Sequence, residues 1–286
     1  MSGINVNKGT ITLPTELSNT IISKIQEDSA IMKLAKSISL PGLGATIPVI
    51  TSDPEAEWVD ETGEKKVSRP GLETKTMKGY TLAVIVPFSN QFKDDATSLY
   101  SAIVERLPKA LAQKFDATVF NGTAPGTGFD VLTSCTAQSI SGNNNDVYKT
   151  LVAADADIAA HNGITDGFVI SPQMKSVLLT ATDKNDRPLF INSVAEGAVP
   201  MILGNKTTQC KACYKDDTND VLAFAGDWTQ AYYGIAKSLN ISVSDQATLN
   251  DGGTTINLWQ RNMFAVRAEI EIGFVADTAC FNKITE

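Results

Sequence analysis

Imidazole chemistry is nearly closed to this chain, because His161 is the only histidine in 286 residues. A Ser-His-Asp triad and a histidine-built metal centre would both have to draw on that one side chain. It stands in Ala159-Ala160-His161-Asn162-Gly163, where a helix should end and a cation stabilises the terminal dipole. Cysteine is sparse too, at Cys135, Cys210, Cys213 and Cys280. So few in so long a chain make no disulfide framework of the kind that staples small secreted domains, and reduced thiols in a cytoplasm are expected. Cys210-Lys211-Ala212-Cys213 has the spacing of half a zinc site, but Cys135 and Cys280 stand alone and supply no second half. Nowhere do about 18 apolar residues run together, and residues 1–17 hold no basic stretch leading into an apolar run. Membrane insertion and secretion are therefore not expected. Basic residues are outnumbered, 24 Lys and Arg against 32 Asp and Glu, and a net charge of -8 argues against a broad phosphate-binding surface.

Phosphate loops are imitated without being completed. Gly122, Gly126 and Gly128 follow a helix and lack a Lys-Ser/Thr ending, and Gly204-Asn205-Lys206-Thr207 has an Asn between the Gly and the Lys. Both read as turns. Carboxylates are plentiful, but most fall in one charged stretch or in surface loops, where a solvated face accounts for them. No catalytic residue, cofactor or metal is expected.

With 43% hydrophobic and 20% charged residues, the chain has material for a sizeable core, as one large domain or two lobes. Residues 1–12 are polar and aperiodic and read as an extended arm. Pro14 suits a first helical turn, with Leu17, Ile21, Ile22 and Ile25 at helical spacing toward Ile31 and Leu34. Pro41-Gly42-Leu43-Gly44 then breaks the chain. Residues 45–51 and about 72–86 are strand-like, the second run with Tyr80, Leu82, Val84 and Val86 on one face and Thr81, Ala83 and Ile85 on the other. Between them a polar stretch sets Glu57, Glu61 and Glu64 against Lys65, Lys66 and Arg69, with Trp58 as its large apolar residue. The pattern predicts a long projecting hairpin over 45–86 with an exposed tip.

A helix is expected over 96–120, with Asp94 and Asp95 at its start and Asn121-Gly122 as its stop. Leu99, Ile103, Leu107, Leu111, Phe115 and Val119 step by four, so the apolar stripe rotates and different stretches should face different neighbours. Pro108 should kink it. Residues 130–262 read as an α/β lobe: a helix over 146–160, a strand over 168–170, a helix opened by Ser171-Pro172, strands over 221–225 and 231–243, and loops at 182–187, 215–220 and 249–254. A last strand alternates Phe264, Val266, Ala268, Ile270, Ile272 and Phe274 against Arg267, Glu269 and Glu271.

A two-stranded arm is marginal in water, since it has no second layer over its apolar face. Its natural partner is a neighbouring copy, and such head-to-tail contacts generate rings and closed shells. The hairpin thus points to a building block of an assembly and not to an enzyme.

The order of segments then carries a resemblance. The polar arm, Pro14-Thr15-Glu16-Leu17, the hairpin, Val86-Pro87-Phe88-Ser89 and the helix running into Asp116-Ala117-Thr118-Val119-Phe120-Asn121-Gly122 resemble the major capsid proteins of tailed bacteriophages, the family with the HK97 fold. Asp166-Gly167-Phe168-Val169-Ile170-Ser171-Pro172, Asp186-Arg187-Pro188-Leu189-Phe190, Ala225-Gly226-Asp227-Trp228 and the closing strand from Arg267 to Phe281 extend it over nearly the whole chain.

The resemblance implies an α+β capsid fold: an N-terminal arm and short helix (1–30), an extended loop (44–78), a peripheral domain with a spine helix (79–129 and 263–286) and an axial α/β domain (130–262). It implies a structural subunit that self-assembles through hexamers and pentamers into an icosahedral phage head around double-stranded DNA, without sequence-specific binding. The expected partners are further copies, a separate scaffolding protein (the chain begins directly at the arm) and a portal protein, with assembly in the host bacterial cytoplasm. Trp58, Glu61, Glu64, Lys65, Lys66 and Arg69 become the expected inter-subunit contacts, and residues 190–200 are expected near the capsomer axis. No motif fixes a partner for a covalent Lys-Asn crosslink from Lys65 or Lys66. Two rivals remain at this point, an encapsulin-like compartment of the same fold and a cytoplasmic α/β enzyme.

Overall fold

The computed structural model describes residues 29–42, 44–52, 56–59, 64–65, 67–69, 71–90, 96–182, 187, 189–190, 201–217 and 219–286. In chain order these form α1 (Ala30–Leu34), β1 (Lys36–Ser39), β2 (Ala45–Ser52), β3 (Gly71–Met77), β4 (Tyr80–Ser89) and α2 (Ala96–Asn121). Then come β5 (Thr136–Ser139), α3 (Val147–Ala160), β6 (Gly167–Ile170), α4 (Pro172–Thr180), β7 (Met201–Ile202), β8 (Asn205–Gln209) and β9 (Val221–Gly226). The chain closes with β10 (Ala231–Ser244), β11 (Thr248–Asp251), β12 (Thr254–Asn257), β13 (Met263–Ala276) and β14 (Phe281–Thr285).

Two larger sheets carry the body. One has the order β1-β10-β13-β4 and the other β5-β14-β9-β6-β8-β7. β13 presents Phe264, Val266, Ala268, Ile270, Ile272 and Phe274 inward as its alternation requires, and all six are buried. The long helix α2 packs on both sheets. Phe115 meets Phe274 of the first at 6.4 Å between ring centroids, and Phe120, farther along, meets Phe224 of the second at 4.9 Å. That division follows the rotation of the apolar stripe. The helix runs as one element through Pro108 and ends at Asn121, whose amide donates to the carbonyls of Ala212 and Cys213. Asp94, Asp95 and residues 14–28 of the helix expected from Pro14 lie outside the described residues; its far end, at Ile31 and Leu34, belongs to α1, which starts at the Ser29 cap.

The second sheet is covered on one face by α3 and α4. Leu151, Ala154, Ile158, Met174 and Leu178 are buried with Phe168, Ile170, Ala223, Ala225 and Ile284. Both helices begin where side-chain caps allow: Asp146 accepts from the Lys149 N–H and Ser171 from the Met174 N–H, with Pro172 in the first turn. His161 is the C-terminal cap of α3.

Four expectations change. The strand expected over 72–86 is two strands, because the backbone at Gly79 passes so close to β10 that a Cβ would lie 2.9 Å from the Cβ of Ala236. Before this break β3 pairs with β2, and after it β4 pairs with β13, so the hairpin ends at Met77. Residues 249–254 are not an open loop. Gly252 and Gly253 both have positive φ (55° and 92°), the geometry of a two-residue turn, and they join β11 to β12. The strand expected over 231–243 in the α/β lobe is β10, which lies in the four-stranded sheet between β1 and β13. Conversely the last residues, expected beside β13, form β14 in the six-stranded sheet between β5 and β9. Strand propensity fixes neither membership, since at 227–230 and again at 277–280 a single 3-10 turn carries the chain directly from one sheet into the other.

Candidate functional site

The β2–β3 hairpin is a two-stranded sheet of its own, in register from Ala45 opposite Met77 to Ile50 opposite Leu72, with a shift before Ser52 pairs with Gly71. Past its end the described residues 56–59, 64–65 and 67–69 are exposed. Trp58 is 104% exposed and Val67 84%, the two highest values for large apolar side chains among the described residues, and they lie together on one stretch. Trp58 and Val67 share a concavity of about 490 Å³ with Ala56, Glu57, Val59, Lys65 and Ser68. Of the residues expected to make inter-subunit contacts, the structure brings Trp58 and Lys65 to one concave surface and leaves Glu64 and Arg69 exposed on the same stretch. Glu61 and Lys66 lie outside the described residues. Of residues 190–200, only Phe190 is described, packed against the cluster beneath α3 and α4.

The root of the hairpin is held more tightly. Met77 is fully buried in a small cluster with Leu40 and Val275. Around it the backbone closes in through glycine: a Cβ at Gly44 would lie 2.7 Å from the Met77 carbonyl oxygen, one at Gly128 2.8 Å from that of Thr76, and one at Gly273 2.7 Å from that of Lys78. Gly44 and Gly128 also have positive φ (94° and 81°), so two independent reasons demand glycine there. Lys75 Nζ donates to the Ala276 carbonyl at 2.8 Å and lies 3.4 Å from Asp130 Oδ2. Lys78 N–H donates to the Gly128 carbonyl and Tyr80 OH to that of Thr127. Sequence reasoning missed this socket; Gly126 and Gly128, weighed only as a phosphate loop, were its visible trace.

The remaining chemistry is inert. Burial pushes the thiols of Cys135 and Cys210 up to about 12 and that of Cys280 up to about 11, and it raises Cys213 well above the ordinary thiol value. At neutral pH such groups are protonated, neither nucleophiles nor good metal ligands. Among the described residues no three His, Cys, Asp or Glu side chains are grouped to hold a metal. Asp116 is buried in α2 and accepts from Ser29 Oγ at 2.6 Å and from Ala30 N–H at 2.8 Å. Burial still raises its carboxyl above the ordinary value. Its bonds fasten the start of α1 to the long helix, a structural task.

A hairpin that continues into a stretch with bare apolar side chains has the geometry of a surface that meets a neighbour. The family model that matches, over residues 9–276, is that of the phage capsid family. The chain belongs to this family. Among similar curated proteins are the probable major capsid protein gp17 of Mycobacterium phage L5, 26% identical over 96% of this chain and 89% of the relative. Another is the major capsid protein of Staphylococcus phage 80alpha, 23% identical over 96% and 84%. A solved structure from Mycobacterium phage Adephagia shares the fold with a TM-score of 0.72, 22% identity and coverage of 90% of this chain and 89% of that one. The capsid of an empty GTA particle superposes with a TM-score of 0.66 at 14% identity, covering 99% and 94%. The fold is the mixed helix-and-sheet capsid fold, and the protein is structural and not an enzyme, which removes the α/β enzyme reading.

Proposed function

We propose that this chain is the major capsid protein of a tailed phage or prophage, and that it self-assembles through hexamers and pentamers into an icosahedral head enclosing double-stranded DNA. The observation that carries the proposal is the hairpin: two strands that pair only with each other, an exposed Trp58 beyond their end and a tight socket at the root. In this reading residues 44–78 are the extended loop laid over an adjacent subunit, with Trp58, Glu61, Glu64, Lys65, Lys66 and Arg69 as contacts. Residues 1–30 are the N-terminal arm. The long helix α2 is the spine of a peripheral domain, expected at 79–129 and 263–286. The sheet pairings favour adding β10 to this domain and giving β14 to the axial domain otherwise spanning 130–262. The net charge of -8 suits an inner face that encloses DNA without gripping its sequence. A separate scaffolding protein, a portal protein and assembly in the host bacterial cytoplasm complete the proposal.

Electron microscopy of the purified protein tests it. Uniform closed shells, or hexameric and pentameric rings, are the expected result. A monodisperse monomer under all conditions, including coexpression with neighbouring genes, would overturn it.

A further inference from the structure

We infer that Lys75 is a positioning residue that sets the angle at which the β2–β3 hairpin leaves the body, and that through this angle it governs contact between subunits; the second half rests on the shell reading above. The physical problem is one of leverage. Met77, buried and gripped by Gly44, Gly128 and Gly273, fixes a point on the hairpin. One point is a pivot and leaves the direction open. Lys75 lies two residues farther out on β3, about 7 Å along the strand, and supplies a second fixed point. Its Nζ donates to the Ala276 carbonyl at 2.8 Å and sits 3.4 Å from Asp130 Oδ2. Asp130 is itself held, with Oδ2 accepting from Ala276 N–H at 3.2 Å and its own N–H donating to the Phe274 carbonyl at 2.9 Å. The ammonium and the carboxylate therefore close around the end of β13, a 14-residue strand paired on both sides, with β10 and β4.

Stability does not explain the pair. Both side chains are about a third exposed (33% and 32%), where an ion pair adds little to folding because water screens it. Direction does. From Met77 to Gly71 the strand covers about 20 Å, so a tilt of 10° about Met77 moves its far end by about 3.5 Å. That exceeds the tolerance of a hydrogen bond and is enough to miss a contact on a neighbour.

Double electron–electron resonance on the dilute, unassembled subunit tests the angle, with spin labels at Val67→Cys and Tyr148→Cys, positions 84% and 49% exposed. The wild-type background and Lys75→Arg should give one narrow distance distribution. Lys75→Met should broaden it or shift it by several ångströms, while the melting temperature moves by only about 3 °C or less and particle yield falls about tenfold. Asp130→Asn, which keeps an acceptor but loses the charge, should broaden it less; it carries the test should Lys75→Met not fold. A wild-type distribution in the folded variants would overturn the positioning role. A broadened distribution with undiminished particle yield would overturn its role in assembly. Should the wild-type chain form no particles, the shell reading fails instead, and the distance result still decides the angle.

Discussion

Asp227 and Asp277 occupy equivalent places in two crossings that hydrogen-bond to each other. Asp227 N–H donates to the Cys280 carbonyl at 3.1 Å and Asp277 N–H to the Gln230 carbonyl at 3.3 Å. Each carboxylate caps its own 3-10 turn, Asp227 accepting from Thr229 N–H and Asp277 from Ala279 N–H. β9 with β14 and β10 with β13 thus form one antiparallel ribbon that leaves one sheet and enters the other at a shared joint. The two joints differ in burial. Asp227 is buried and also accepts from Thr229 Oγ1 at 2.6 Å and Ile164 N–H at 3.1 Å.

Asp227→Ala should therefore cost about 3 kcal/mol, since buried donors lose their acceptor, whereas Asp277→Ala should cost about 1 kcal/mol as a lost cap. Urea unfolding followed by circular dichroism measures both. Equal effects would mean that the joint is held by its main-chain bonds alone.

Asp116 offers a pH test with a defined sign. Burial raises its folded-state carboxyl above the ordinary 3.8, against the opposing hydrogen bonds from Ser29 and Ala30. The folded protein then holds this proton more tightly than the unfolded chain, so the group favours folding most below pH 3.8 and that advantage is lost as pH rises through the raised value. The stability difference between wild type and Asp116→Asn should fall with rising pH across that window and level off above it. A difference that is flat or rises with pH would contradict the assigned cause.

The four thiols should be nearly silent in the native protein. With Cys135 and Cys210 at about 12, Cys280 at about 11 and Cys213 also raised, thiolate at pH 8 is scarce. Alkylation with iodoacetamide should run about a thousandfold slower at Cys135 and Cys210, and about a hundredfold slower at Cys280, than after unfolding in guanidinium, read by the mass of the digested peptides. Rapid modification of any one thiol in the folded chain would show that its surroundings open.

Trp58 is the cheapest probe of the proposed contact. Its full exposure means that Trp58→Ala removes no packing within the subunit, so the unfolding midpoint should stay within about 0.5 kcal/mol of wild type. Particle yield should nevertheless drop severalfold, measured by sedimentation of assembled material. A variant that assembles as well as the parent removes Trp58 from the interface.

Local chemistry was readable wherever neighbours in sequence decide the outcome. Asp146 and Ser171-Pro172 start α3 and α4 because a side-chain oxygen a few residues away satisfies their first N–H groups. Asn121-Gly122 ends α2, and β13 keeps its inward face because period-two alternation is a property of the strand itself. The socket and the Lys75–Asp130 contact were not readable, since Lys75 meets Ala276 across 201 positions of sequence and Gly128 meets Thr76 only after β4 and all of α2 have intervened.

By itself, then, the sequence determined the longer elements and their caps, from the helices over 96–120 and 146–160 to the alternating strand from Phe264 to Phe274, and a chain with one histidine and a single closely spaced cysteine pair. Only the tertiary structure decided which sheet each strand joins, that residues 72–86 break at Gly79, and that glycines close on the backbone of residues 76–78 while Lys75 reaches the end of β13. The physical reason is range. Caps and periodicity act over a few residues, whereas sheet membership and close backbone approach are set by surfaces that meet only once the chain has folded.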